Sequence, residues 1–299
     1  MRIRTTALMA AIGLAGSLLG WPADAAPSRA TVTCSVTAGS VTSNGDHRAQ
    51  VVTSTVPPTL TRDSKVALEV FAPGLVGLST SLRAEPDPGG SEVSGYVVIG
   101  SGLYLTRYKA GLTAEVHHAD LTRIGGGWQG FVAVEQSVSS EDAPRRMNTY
   151  GLRSDGVLFR WTVDPNGSWR GKTSYPGFKA VKAMALISKT RTYDTFLATT
   201  HGGALYTIHI PTGTPMKPVV KLVRRATWQG FESLVATSCG SYGTLLLGID
   251  KAAGTGYLYA VGHANGPATI ILPRGKVPAT FGDPVDFRWF LPIDRLFGE

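Results

Sequence analysis

His117-His118-Ala119-Asp120 is the tightest cluster of metal-ligating residue types in this chain of 299 residues. Two imidazoles and a carboxylate suit zinc, but neighbouring residues on a strand point to opposite faces, so both rings cannot converge from one strand. The stretch reads as a surface turn. His47, His201, His209 and His263 stand apart from it and from each other. No Gly-x-Ser-x-Gly elbow, no His-Glu-x-x-His helix and no glycine-rich loop opening a helix onto a phosphate occurs. Glu141-Asp142 falls in a polar insertion and reads as a solvated loop tip. A glycoside hydrolase needs a pair of carboxylates, and these can come from distant strands that only the fold brings together. On its residues alone the chain is expected not to be an enzyme, and no cofactor or metal is expected.

Cys34 and Cys239 form no Cys-x-x-Cys motif and are candidates for a disulfide that would tie the N-terminal segment to a distant part of the fold. The expected compartment is oxidising. Arg2 and Arg4 precede an apolar run from Ala7 to Leu19, and Ala23-Asp24-Ala25 then offers small residues for cleavage. This is the pattern of a secretory signal peptide over residues 1–25, too short in its apolar part for a membrane span. The mature protein, residues 26–299, is expected to be secreted, extracellular and monomeric. The formal net charge of +8 could draw anionic polymers. Its lysines and arginines are scattered, with Arg145-Arg146 and Lys221 to Arg225 the longest clusters, so a basic solvated surface is expected and no nucleic-acid partner.

The elements that would position any site show themselves as a repeat. "GGWQGFVAV" from Gly126, "SYPGFKAV" from Ser174 and "ATWQGFESL" from Ala226 share an aromatic residue, Gly-Phe and an apolar run. A second word follows each: "SDGVLFRW" from Ser154, "HGGALYTI" from His201 and "GTGYLYAV" from Gly254. Phe131 to Leu158, Phe178 to Leu205 and Phe231 to Leu258 are each 27 residues. An earlier copy is "SGLYLTRY" from Ser101, and a last partial one is "ATFGDPVDFRWF" from Ala279. Each unit alternates apolar and polar residues over short runs, with glycine turns before each Leu-aromatic pair. Strand-only repeats of about 40–50 residues are the signature of propeller blades. In such a blade the first strand lies nearest the axis, so the Gly of Gly-Phe is expected to let backbones approach while the Phe fills the wedge between sheets.

The fold class is therefore all-β, a β-propeller. Two strand-like runs near Thr31 to Val56, separated by the turn signal Ser43-Asn44-Gly45-Asp46, precede the repeats. A ring must hide its seam, so these runs are expected to join the C-terminal strand in a composite blade that closes a five-bladed ring. Four blades with a separate N-terminal strand pair, linked at Pro57-Pro58, is the other arrangement the sequence allows.

The stretch from Gly102 to His263, most closely Ile124 to Trp169, resembles the tachylectin-2-like propellers, with their Gly-Trp...Phe word and Asp-Gly-x-Leu-Tyr hairpin. That resemblance implies five blades and binding of N-acetylated sugars between blades. The positions that match are Trp128, Gln129 and Gly130, then Tyr175, Pro176 and Gly177, then Trp228, Gln229 and Gly230. Asp155 and Gly156 match the hairpin word; Gly202-Gly203 and Thr255-Gly256 take its place elsewhere, without the carboxylate. Trp128 with Gln129, and Trp228 with Gln229, would pair an aromatic face for a sugar's C–H side with donors and acceptors for its polar groups. Expected ligand-binding residues are thus Trp128, Gln129, Asp155, Gly156, Trp228 and Gln229. The expected function is that of a lectin-like protein whose partner is an extracellular or cell-wall glycan. The alternatives are a scaffold presenting Glu135 to Tyr150 and Ser188 to Thr195 to a protein partner, and a propeller hydrolase with an acidic pair converging on the channel.

Overall fold

The computed structural model describes residues 33–139, 145–291 and 294–299. Residues 1–25 and the Glu141-Asp142 tip lie outside the described residues. Short β-branched and apolar runs between turn residues become strands along the whole described chain. They are β1 (Ser35–Val41), β2 (His47–Thr53), β3 (Thr59–Ala67), β4 (Val76–Ser79), β5 (Leu82–Asp87), β6 (Gly90–Ile99), β7 (Gly102–Gly111) and β8 (Asp120–Gly126). Three antiparallel four-stranded meanders follow. The first holds β9 (Phe131–Ser139), β10 (Arg146–Arg153), β11 (Leu158–Val163) and β12 (Trp169–Tyr175). The second holds β13 (Val181–Lys189), β14 (Tyr193–Thr200), β15 (Leu205–Pro211) and β16 (Val219–Arg224). The third holds β17 (Ser233–Cys239), β18 (Gly243–Asp250), β19 (Thr255–Val261) and β20 (Ile271–Lys276), and β21 (Val285–Phe290) comes last.

Residues 38–41 of β1 pair antiparallel with residues 285–288 of β21, so strands from the two ends of the sequence share a sheet. Two parallel pairs, Trp289 with Leu82 and Phe290 with Arg83, then join β21 to β5 and make one nine-stranded sheet of β1–β8 and β21. The first strands of successive sheets touch in a cycle: β4 meets β9, β9 meets β13, β13 meets β17, β17 meets β21 and β21 meets β4. Cys34 and Cys239 form a disulfide with a Cα separation of 5.5 Å, fastening the entry of β1 to the end of β17.

The repeat is present, but its middle copy is displaced by three residues. The amide of Phe131 donates to Trp128 O and that of Phe231 to Trp228 O, whereas in the middle unit Val181 donates to Phe178 O. Likewise Trp128, Phe178 and Trp228 donate to Ser101 O, Gly156 O and Gly203 O of the preceding sheet. Phe178 is therefore the counterpart of the two tryptophans, and the three lie 50 residues apart in both steps. Aligning on Gly-Phe puts Tyr175 in the wedge position, yet Tyr175 is 41% exposed while Phe178 is buried. The shared 27-residue offset arises because the middle hairpin comes three residues sooner after its true wedge. These same hydrogen bonds explain why the two words travel together: the turn of one sheet supplies the carbonyl that receives the first word of the next.

The glycines of the first word also act differently from expectation. Gly130 and Gly177 have φ of +83° and +105° and sit in the turns ahead of the strands. Room for the phenylalanines comes from the next strand over, where a Cβ on Gly151 would lie 2.6 Å from the Phe131 ring and one on Gly248 2.9 Å from the Phe231 ring. Between sheets, fully buried Asp194 binds the Arg146 guanidinium at 2.7 and 2.8 Å, the Tyr150 hydroxyl at 2.7 Å and Ser137 Oγ at 2.5 Å. A buried carboxylate is tolerable only when so satisfied, and removing its arginine would cost several kcal/mol, roughly 3–5.

Candidate active site at the central hollow

The cyclic first strands enclose a hollow of about 120 Å³, lined by β4, β9, β13, β17 and β21 with the turn at Lys251. Alternation along β21 sends Val285 and Phe287 into the apolar core and leaves Asp286 and Arg288 on the other face. Glu135 comes from β9, Lys182 from β13 and Glu232 from the residue before β17. Lys182 Nζ donates to Glu232 Oε1 at 2.6 Å, and the Lys251 amide donates to Glu232 Oε2 at 2.8 Å. Lys251 Nζ lies 3.1 Å from Asp286 Oδ2, an ion pair without hydrogen-bond alignment, and donates to Pro284 O at 2.6 Å. One lysine thus touches both carboxylates, one through its backbone and the other through its side chain.

Their environments push these two acids apart. Burial drives the Asp286 carboxyl above the usual aspartate range, and the Lys251 charge only partly offsets it. Burial also works against the charge on Glu232, but there the Lys182 ammonium and the Lys251 amide prevail and hold the carboxyl below the usual glutamate range. Glu135 is held by the amides of Ser81 and Gln136 at 2.9 and 2.8 Å and by Ser81 Oγ at 2.8 Å. Further along β21 and β13, Arg288 and Lys189 clamp Asp294 at 2.5 and 2.8 Å. Among the described residues no group of three His, Cys, Asp or Glu could hold a metal ion.

Trp128 and Trp228, proposed from sequence as sugar platforms, are only 6% and 4% exposed. Trp128 stacks obliquely on Phe131 and Trp161, and Trp228 on Tyr259, so both serve as wedges between sheets. Gln129 and Gln229 are exposed in the turns behind them. Exposed Asp155 pairs with Arg153 at 2.5 Å, and Gly156, at φ +89°, backs onto Lys179 of the next sheet. The structure does not bring the Trp128 and Trp228 groups together. His118 Nδ1 bonds Glu69 O at 2.9 Å, and His117 faces Glu115 at 3.8 Å. Most of Glu135 to Tyr150, read from sequence as an insertion loop, is strand β9 and strand β10, and Ser188 to Thr195 is the β13–β14 hairpin.

Neither a protein-family model nor a curated protein matches the sequence. Solved structures do resemble the fold. The catalytic domain of the Coprinopsis cinerea GH62 alpha-L-arabinofuranosidase aligns at 13% identity over 62% of this chain and 64% of its own, with a TM-score of 0.41. Bacteroides ovatus xyloglucan PUL GH43B aligns at 14% identity over 88% of this chain and 59% of its own, with a TM-score of 0.37. The WD40 domain of SCAP from fission yeast aligns at 9% identity over 80% of this chain and 69% of its own, with a TM-score of 0.32. This chain spans less than two thirds of the first two. All are propeller-type folds, and nothing among them adds the tachylectin-2 family. Against the expectation of a protein without catalysis, two of the three are named as glycoside hydrolases. The sequence search missed Glu232 and Asp286 because no motif surrounds either; their only mark is to stand at the start of two first strands, 54 residues apart.

Proposed function

We propose that this protein is a secreted, five-bladed propeller that hydrolyses glycans at the mouth of its central hollow. The observation that carries this reading is the meeting of two carboxyls, Glu232 and Asp286, in one hollow around the shared Lys251, with burial raising the pKa of Asp286 and the Lys182 and Lys251 contacts lowering that of Glu232. Two carboxyls whose environments drive their pKa values apart are matched to the acid and base roles of glycosidic cleavage. In its protonated form Asp286 would give its proton to the departing glycosidic oxygen, and in its ionised form Glu232 would take one from the water that attacks the anomeric carbon. The hollow of about 120 Å³ has space for a few waters or the end of a glycan, so the bond cut is near a chain end. The cycle of five touching first strands and the pairing of β21 with β1 support a count of five blades. The Cys34–Cys239 disulfide agrees with an oxidising, extracellular destination. Glycan recognition, the expectation drawn from the resemblance to tachylectin-2-like propellers, is contained in this reading, and cell-wall or extracellular glycans bearing N-acetyl groups head the substrates to try.

The test is release of reducing ends from a panel of such oligosaccharides by wild type, Glu232→Gln and Asp286→Asn, with melting curves confirming the fold. Each substitution should lower the rate by about 10²–10⁴-fold. A folded wild type that is inert across the panel, or an Asp286→Asn protein as fast as wild type, sinks the proposal.

A further inference from the structure

A second hollow of about 400 Å³ lies between β7–β8 and β11–β12, away from the carboxylates of the central site. Its walls are Trp128, Trp161 and Trp169, with Leu103, Ile124 and glycines at its sides and Arg170 and Lys172 at its rim. The three indoles form a cup: ring centroids are 5.2 Å apart for Trp128 and Trp161, 5.7 Å for Trp161 and Trp169, and 6.3 Å for Trp128 and Trp169, the last pair perpendicular. Trp128 is its buried floor, whereas Trp161 and Trp169 keep part of their faces in solvent.

The charge of this hollow is one-sided. Among the described residues no carboxylate lines it. Arg170 is already paired with Asp164 at 2.5 Å. Lys172 has no carboxylate partner among the described residues; its Nζ stands 4.8 Å above the Phe159 ring and 5.8 Å from that of Trp161. An ammonium held over aromatic faces is directed but not neutralised.

We propose that this cup binds a sugar ring carrying one anionic group, such as a uronic acid residue. The apolar C–H face of the ring would lie on Trp161 and Trp169, and its carboxylate would meet Lys172. One unpaired cation matches one anionic group. A nucleic-acid strand would call for a track of cations along its backbone and flat stacking platforms, whereas these indoles are mutually tilted and, of the two cations that line the hollow, Arg170 is paired and Lys172 is not. The site is distinct from the central hollow and does not depend on hydrolysis there.

Titration calorimetry with a uronate-terminated tetrasaccharide, its neutral methyl ester, a sulfated tetrasaccharide and a single-stranded oligonucleotide tests this. It is run on the full protein and on Glu232→Gln, so that loss of binding and loss of cleavage are read separately. Saturable binding of the uronate is expected, weaker by tenfold or more for its methyl ester. Lys172→Gln should erase that preference without affecting the ester, and Trp169→Ala, with its fold checked by melting, should weaken both. The proposal is overturned if acid and ester bind alike, if Lys172→Gln keeps the preference, or if the oligonucleotide binds more tightly than the uronate. Tighter binding of the sulfated sugar would replace the carboxylate as the recognised group and overturn the uronate assignment.

Discussion

The central hollow and the tryptophan cup are both solvent-reaching cavities, and they treat charge in opposite ways. In the first, Glu232 and Asp286 each have a lysine. In the second, a lysine is left over aromatic rings with no acid among the described residues that line the hollow. Paired charges fix strands relative to one another and set where protons reside; a directed but unpaired charge is available to something that arrives from outside. On the two proposals made above, the same fold would separate proton handling at its axis from ligand recognition at its flank.

The broadest way to break this comparison is to undo the frame that both hollows share. His47 is fully buried against Tyr108, Phe287 and Trp289, and its Nδ1 bonds the Tyr108 hydroxyl at 3.1 Å. Burial, with the nearby Arg62 charge, lowers its pKa from 6.5 to about 3. The unfolded chain thus binds a proton that the folded chain refuses between those values, so stability falls as pH drops through that window. Between pH 7 and 4 this costs roughly 3 kcal/mol. Urea unfolding at the two pH values should show that loss in wild type and a much smaller one in His47→Gln. An unchanged pH dependence in the variant would assign the acid sensitivity elsewhere.

Lys251 sharpens the contrast on the axial side. Lys251→Met removes the charge that restrains Asp286 and should slow cleavage by about a hundredfold. It should also push the alkaline limb of the rate profile to higher pH, because Asp286 would hold its proton longer. The acid limb, set by Glu232 with Lys182, should move little, and uronate binding at the cup should not change. A parallel loss at both sites would mean that they are one functional unit.

The smallest effect is expected on the flank. A Cβ on Gly151 would press on the Phe131 ring at 2.6 Å and on Trp128 at 3.1 Å, beneath the cup. Gly151→Ala should cost about 1–3 kcal/mol in denaturant unfolding and weaken uronate binding several-fold, with axial cleavage intact once the protein is folded. Wild-type stability in this variant would show that the aromatic floor can shift freely.

Sheet content and the pairing of early with late strands were legible in the sequence, because glycine turns and alternating runs are local and a ring has to cover its open edges. The middle repeat was misread for a physical reason. Ser-Tyr-Pro-Gly-Phe carries the letters of the flanking words, but burial selects Phe178 for the wedge and leaves Tyr175 outside. Glu232 and Asp286 could not be found by spacing at all, since their proximity exists only through Lys251 and the cycle of first strands. The cup was not read from the sequence: Trp161 and Trp169 stand in it, but their meeting with Trp128 and Lys172 needs two sheets.

The bond between Cys34 and Cys239 joins segments that are both made before β21, the strand that pairs with β1. A chain emerging in order can therefore fasten β1 beside β17 while the pairing edge of β1 is still bare. The last strand then docks into a slot whose width is already set, and an edge that would otherwise invite pairing with other chains is held beside its intended neighbours until it is covered.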